Sequence, residues 1–144
     1  MTTPRLDLSA LRAAVAALAD AIAVVSDTAW FAQQRPNVQQ VLRAGAIQSF
    51  EIAYEVSVKM LKRQIELDSA SPSEVDTQSF RELLRIAAER GLIADVEAWF
   101  QYRTLRNITA HTYDHEKAMQ VFAGATDFLA DANFLLTKLQ ARNV

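Results

Sequence analysis

The 144 residues contain no cysteine. That excludes disulfides, thiolate catalysis and thiolate-bound structural zinc. Glycine and proline are scarce, at three each, so tight turns must be few. A many-stranded sheet needs frequent turns, and their scarcity points to long helices with short connections. A basic surplus is also missing: 15 Lys and Arg face 17 Asp and Glu, a net charge of −2. Proteins that hold long nucleic acid non-specifically carry such a surplus, so contact with RNA here is expected to be local and brief. No charged-then-apolar leader is read at the start and no apolar run is read as a membrane span. The expectation is a soluble, cytoplasmic chain with no membrane partner.

What remains is ample core material. Hydrophobic residues make up 51% of the chain and charged ones 22%, and the length suits one domain spanning 1–144. Leu8, Leu11, Val15, Leu18, Ile22 and Val25 recur at gaps of three and four, the stripe of an amphipathic helix. Alanine fills most positions between them and favours both helix and close packing. The spacing predicts a helix from about Leu8 to Phe31. A second helix starts near Asn37, read as its cap, with Val38, Leu42, Ile47, Phe50, Tyr54, Val58, Leu61 and Ile65 along one stripe. A further line, Ile52, Val56 and Met60, predicts contact on two sides.

Ser69-Ala70-Ser71-Pro72-Ser73 is the one turn-rich stretch. A shorter helix from Thr77 to Arg90 follows, with Phe80, Leu83, Leu84 and Ala87 inward and Gly91 at its stop. A fourth helix begins near Asp95 and buries Val96, Trp99, Phe100 and Leu105. Asp114 caps the last, whose stripe is Val121, Ala125, Phe128, Ala132, Leu135 and Leu139. Trp30, Trp99 and the phenylalanines are read as core. The fold class is all-α, an antiparallel up-down bundle of four long helices plus one shorter helix.

Chemistry concentrates in Arg106-Asn107-Ile108-Thr109-Ala110-His111-Thr112-Tyr113. A fixed cation, an amide, an imidazole and a phenol within eight residues suit a phosphodiester. Arginine binds phosphate through paired hydrogen bonds and stays charged. Histidine moves protons near neutral pH. Arg106 and His111 are five apart, about 140° around an ideal helix, so they cannot share one face of a continuous helix. Either the helix ends before His111 or a second subunit unites the two. RNA cleavage through the 2′-hydroxyl needs a base and an acid, and one protomer offers only His111 and His115. A two-fold dimer would supply a second His111.

Arg, four residues, His, one residue, Tyr resembles the motif of the HEPN superfamily. The wider stretch RNITAHTYDHEKA, with FEIAYEVSVKMLK in the second helix, is similar to the branch called nucleotidyltransferase substrate-binding proteins, close to the HepT toxins. The resemblance runs from about Ala44 to the last helix. It implies a helical homodimer with the motifs facing across the two-fold axis, acting as a metal-independent endoribonuclease. It also implies a toxin–antitoxin pairing with an MNT-type nucleotidyltransferase that uses ATP and silences the toxin by AMPylation of the motif tyrosine. Carried over, Arg106 and His111 are the catalytic residues, Asn107 supports them, and Tyr113 takes the AMP. No cofactor is implied for the chain itself.

Plainer readings stand beside these. Arg106 suits the negative end of a helix dipole, His111 could cap the final turn, and Tyr113 could pack at a helix junction. Lys59, Lys62 and Arg63 form a basic cluster on the second helix, and Arg103 adds to Arg106. Solvated surface is the ordinary reading of both groups, with phosphate or nucleotide binding by Arg103 and Lys59 as the functional one. His111 and His115, four apart, have a helical metal spacing, but a helix break is expected between them and no metal site is assigned. A non-catalytic subunit that binds a nucleotide or substrate for a nucleotidyltransferase is the alternative function.

Overall fold

The computed structural model describes residues 5–144, among which there is no strand. Helices α1 (Ser9–Ser26), α2 (Thr28–Ala32), α3 (Pro36–Asp68), α4 (Pro72–Val75), α5 (Phe80–Glu89), α6 (Val96–Ile108) and α7 (His115–Arg142) follow in order, with a 3-10 turn at Thr109–His111 before α7. The long helices α1, α3 and α7 pack against one another, α6 lies on α7, and α5 on α6. The expected all-α bundle is the observed one.

Periodicity placed the core well. All six residues of the α7 stripe are buried, as are Leu11, Val15, Leu18, Ile22 and Val25 of α1. At the centre Phe128 of α7 meets Phe50, Trp99 and Tyr102 edge-on, with centroids 5.0–5.5 Å apart. This is the favoured geometry for aromatic quadrupoles, and it joins α3, α6 and α7 in one layer.

The first helix departs from expectation. It breaks at Asp27, whose carboxylate accepts the Trp30 N–H at 3.3 Å and so caps α2. A carboxylate that satisfies an orphan donor offers the chain a restart that alanine-rich propensity does not reveal. After the break Phe31 turns inward against Val25 and Ala46, and Trp30, read as core, is 42% exposed. Phe134 is also exposed, and Phe80, Phe100 and Phe122 are half-buried. Ile52 is exposed as well, so the second apolar line on α3 is covered only at Val56 and Met60.

Two starts shift. Arg35, extended at ψ 151°, precedes Pro36 in the first turn of α3, so the proline and not Asn37 sets the start. Helix α5 begins at Phe80 because Ser79 accepts the Glu82 N–H at 3.1 Å. The turn-rich stretch holds the short α4, anchored by buried Val75. Gly91 ends α5 at φ +74°, a left-handed position open to glycine at little cost.

Ser9–Ser26, with a mean hydropathy of 1.6, is long and apolar enough to cross a bilayer by length and composition alone, contrary to the expectation of no such run. Its alanines raise that value. Its Leu11, Val15, Leu18 and Ile22 form part of the bundle core, and the helix packs against α3 and α7.

At the far end, Asn143 ties the bundle together. Its Oδ1 accepts the Leu6 N–H at 2.9 Å and its Nδ2 donates to Gln64 Oε1 at 2.8 Å. That rigid frame leaves the opposite end, where α6 meets α7, for the motif.

Candidate functional site at the α6–α7 junction

Helix α6 begins at Asp95, which accepts the Glu97 and Ala98 N–H groups, and ends at Ile108. The 3-10 turn follows, and Asp114 accepts the Glu116 and Lys117 N–H groups to start α7. The helix therefore ends before His111, the first of the two alternatives left open by the 140° separation. The break also removes the helical spacing between His111 and His115.

Arg106 is in the last turn of α6. Its Nε and Nη2 donate to Glu55 Oε1 at 2.9 and 2.6 Å, and Nη2 lies 3.5 Å from Glu51 Oε1. Nη1 reaches Thr109 Oγ1 at 3.4 Å, and that hydroxyl donates to the Arg106 carbonyl at 2.7 Å. The hydrogen bond to Glu55 is the main cause holding the guanidinium proton more firmly than usual, with burial opposing it. Arg106 is thus a fixed, partly covered cation.

His111 and Tyr113 are exposed on the connection. Their rings meet edge-on with centroids 6.1 Å apart. Tyr113 is 84% exposed, the stance of a group that another protein can reach. Among the described residues, His111 makes no side-chain hydrogen bond and none joins it to Arg106.

A family model described as nucleotidyltransferase substrate binding protein like matches residues 6–141. A Haemophilus influenzae protein named probable ribonuclease HepT is 46% identical over 143 residues, 99% of this chain and 98% of that protein. The chain belongs to this nucleotidyltransferase substrate-binding family and is a HepT-like HEPN protein. A solved H. influenzae structure, described as revealing the fold of a substrate binding domain of a nucleotidyltransferase, superposes with a TM-score of 0.89 at 46% identity, covering 93% of this chain and 99% of that one. A Thermus thermophilus structure, 26% identical, gives a TM-score of 0.57 over 85% of this chain and 98% of its own.

The other expected site residues are more dispersed in this HepT-like chain. Asn107 is exposed beside Arg106, with no side-chain hydrogen bond among the described residues. Arg103 lies over the Phe80 ring at 4.7 Å. Lys59 is exposed one turn beyond Glu55 on α3. Lys62, from the same basic cluster, is paired with Asp76 at 2.8 Å.

Sequence reading missed two features at this end of the bundle. Glu51 and Glu55 lie four apart on α3, inside the stretch that carries the resemblance, and that spacing puts both carboxylates on one helix face. The other feature is a cleft of about 470 Å³ between the start of α3 and the start of α7, lined by Gln39, Gln40, Arg43, Ile47, Tyr113 and His115 among others. No local pattern announces it, because its walls are some seventy residues apart in sequence. Tyr113 belongs to both places: it meets His111 and it borders the cleft, whereas His111 and Arg106 do not line it.

Proposed function

We propose that the chain is an endoribonuclease of the HEPN type, the toxin of a toxin–antitoxin pair, acting as a homodimer without metal. The observation that carries the reading is Arg106, His111 and Tyr113 gathered at one helix junction in a chain 46% identical to a protein named as a ribonuclease. In the proposed reaction one His111 takes the proton of a ribose 2′-hydroxyl. The resulting oxygen attacks the adjacent phosphorus and the bond to the 5′-oxygen breaks. A second His111, from the other copy, protonates that leaving oxygen. Arg106 stabilises the charge developing on phosphorus, and its anchorage by Glu55 means that little reorganisation is needed. The products are a 2′,3′-cyclic phosphate and a 5′-hydroxyl.

Silencing follows from the exposed phenol. In the proposed step the Tyr113 oxygen attacks the α-phosphorus of ATP, held by an MNT-type nucleotidyltransferase partner. The phenolic proton passes to a base, the bond to pyrophosphate breaks, and AMP remains on the oxygen. Such a partner is consistent with the family description, and the cytoplasm is the setting where RNA and ATP meet both proteins. Expressing the chain alone tests the reading: growth should arrest and RNA should fragment, and Arg106→Ala or His111→Ala should abolish both. Undisturbed growth with wild-type protein would count against it.

One observation favours a second reading, a non-catalytic nucleotide-binding subunit of a nucleotidyltransferase. Two carboxylates already occupy Arg106, while a roomy cleft of mixed polar and apolar lining stands beside Tyr113. Normal growth combined with nucleotide binding would select it.

A further inference from the structure

The cleft has the chemistry of a receptor for the group that Tyr113 is proposed to carry. Arg43 sits in its wall. That guanidinium lies over the Phe31 ring at 4.9 Å, and no carboxylate pairs with it among the described residues. A guanidinium over a ring face, with no carboxylate partner, has N–H groups left for an oxyanion. Arg106 differs, because Glu55 and Glu51 hold its Nε and Nη2 side. Of the two arginines, Arg43 is the one that lines the cleft beside Tyr113.

The rest of the wall is also suited. Gln39 donates through Nε2 to the Phe31 carbonyl at 2.9 Å and the Gln34 carbonyl at 3.1 Å. Those bonds fix the amide plane, and its oxygen has no donor among the described residues. An amide oxygen held in this way can accept from an exocyclic amine. Ile47 and Ala118 supply an apolar wall for a flat base, and His115 adds an imidazole near the tyrosine. The volume, about 470 Å³, falls within the range of small-ligand sites, roughly 300–1,000 Å³.

We infer that this cleft is an adenylate seat: AMP joined to the Tyr113 oxygen folds back between α3 and α7, with its phosphodiester on Arg43 and its base against Ile47. The inference rests on the proposed modification of Tyr113 and adds where the nucleotide goes. A seated adenylate also holds the Tyr113 ring in the place where it meets the His111 ring edge-on.

Nuclear magnetic resonance of the ¹⁵N-labelled chain tests it, with intact mass as the companion measurement. Free AMP titrated into the unmodified protein should shift the Arg43 side-chain N–H and the amides of Ala44, Ile47 and Ala118. Arg43→Ala should weaken that binding at least tenfold, and Arg43→Lys should restore part of it. After incubation with the nucleotidyltransferase partner and ATP, the same signals should shift in the wild type. In Arg43→Ala, mass should still report the AMP while the shifts retreat to residues next to Tyr113. Shifts confined to 111–115 in modified wild type, or no response of Arg43 to millimolar AMP, would overturn the seat. Absence of AMP on Tyr113 by mass, with AMP still titrating at Arg43, would remove the modification and leave the seat standing.

Discussion

Arg106 donates from both Nε and Nη2 to a single oxygen of Glu55, at 2.9 and 2.6 Å, across 51 residues of sequence. One end of a forked cation is thereby fixed to α3 while Nη1 leans on Thr109. A guanidinium held along one edge keeps its orientation, which is what transition-state stabilisation needs.

In the proposed ribonuclease, Glu55 is therefore a positioning residue for Arg106. Glu55→Gln should change stability by no more than about 1 kcal/mol, since exposed ion pairs contribute little. RNA cleavage under saturating substrate should nevertheless fall about tenfold or more through kcat. Thermal unfolding together with single-turnover cleavage checks both halves. A rise in cleavage would show that the carboxylate restrains Arg106 and does not aim it.

The site also depends on how closely α6 approaches α7. A Cβ at Gly124 would stand 2.0 Å from Leu105 Cδ1, one residue before Arg106. Leu105 is buried and must move to admit it, so Gly124→Ala should destabilise the fold by about 1–3 kcal/mol, as overpacking does. Denaturant unfolding measures that loss, and cleavage by the folded fraction should drop as well because α6 is displaced.

Alkaline behaviour follows from two phenols. Burial, and then a hydrogen bond to Asp131, raise Tyr102 far above the ordinary value of 10.0. Burial also raises Tyr54, with Arg103 and Arg106 opposing. A group that holds its proton more tightly when folded contributes stability that is complete below its unfolded value and is lost as pH rises above it. Stability should therefore be level up to about pH 10 and fall beyond. Tyr102→Phe should flatten that fall and cost about 0.5–1.5 kcal/mol at neutral pH for the lost hydrogen bond. Unfolding free energies measured across pH 8 to 11 check the sign.

Much of this fold was legible because helical spacing repeats locally. The α7 stripe, the helix start near Asp95, the Asp114 cap and the Gly91 stop each depend on neighbours within a few residues. Asp27 was not legible: one capping side chain outweighed a run of alanines and turned Trp30 outward. At the site, Arg106, His111 and Tyr113 announce themselves by residue type, and their break from the helix follows from Asp114. Glu55 could have been noticed as one of two carboxylates four apart. Its pairing with Arg106, however, is a tertiary fact, as is the cleft that Arg43 and Tyr113 both line.

The most direct measurement is cleavage of a defined RNA by the purified chain in the presence of a metal chelator, with the new ends identified. The expected result is cutting that leaves 2′,3′-cyclic phosphate and 5′-hydroxyl ends, reduced at least a hundredfold in His111→Ala and stopped by AMP on Tyr113. Cleavage at the wild-type rate by His111→Ala, or no cleavage by unmodified wild-type protein, would contradict the proposed ribonuclease.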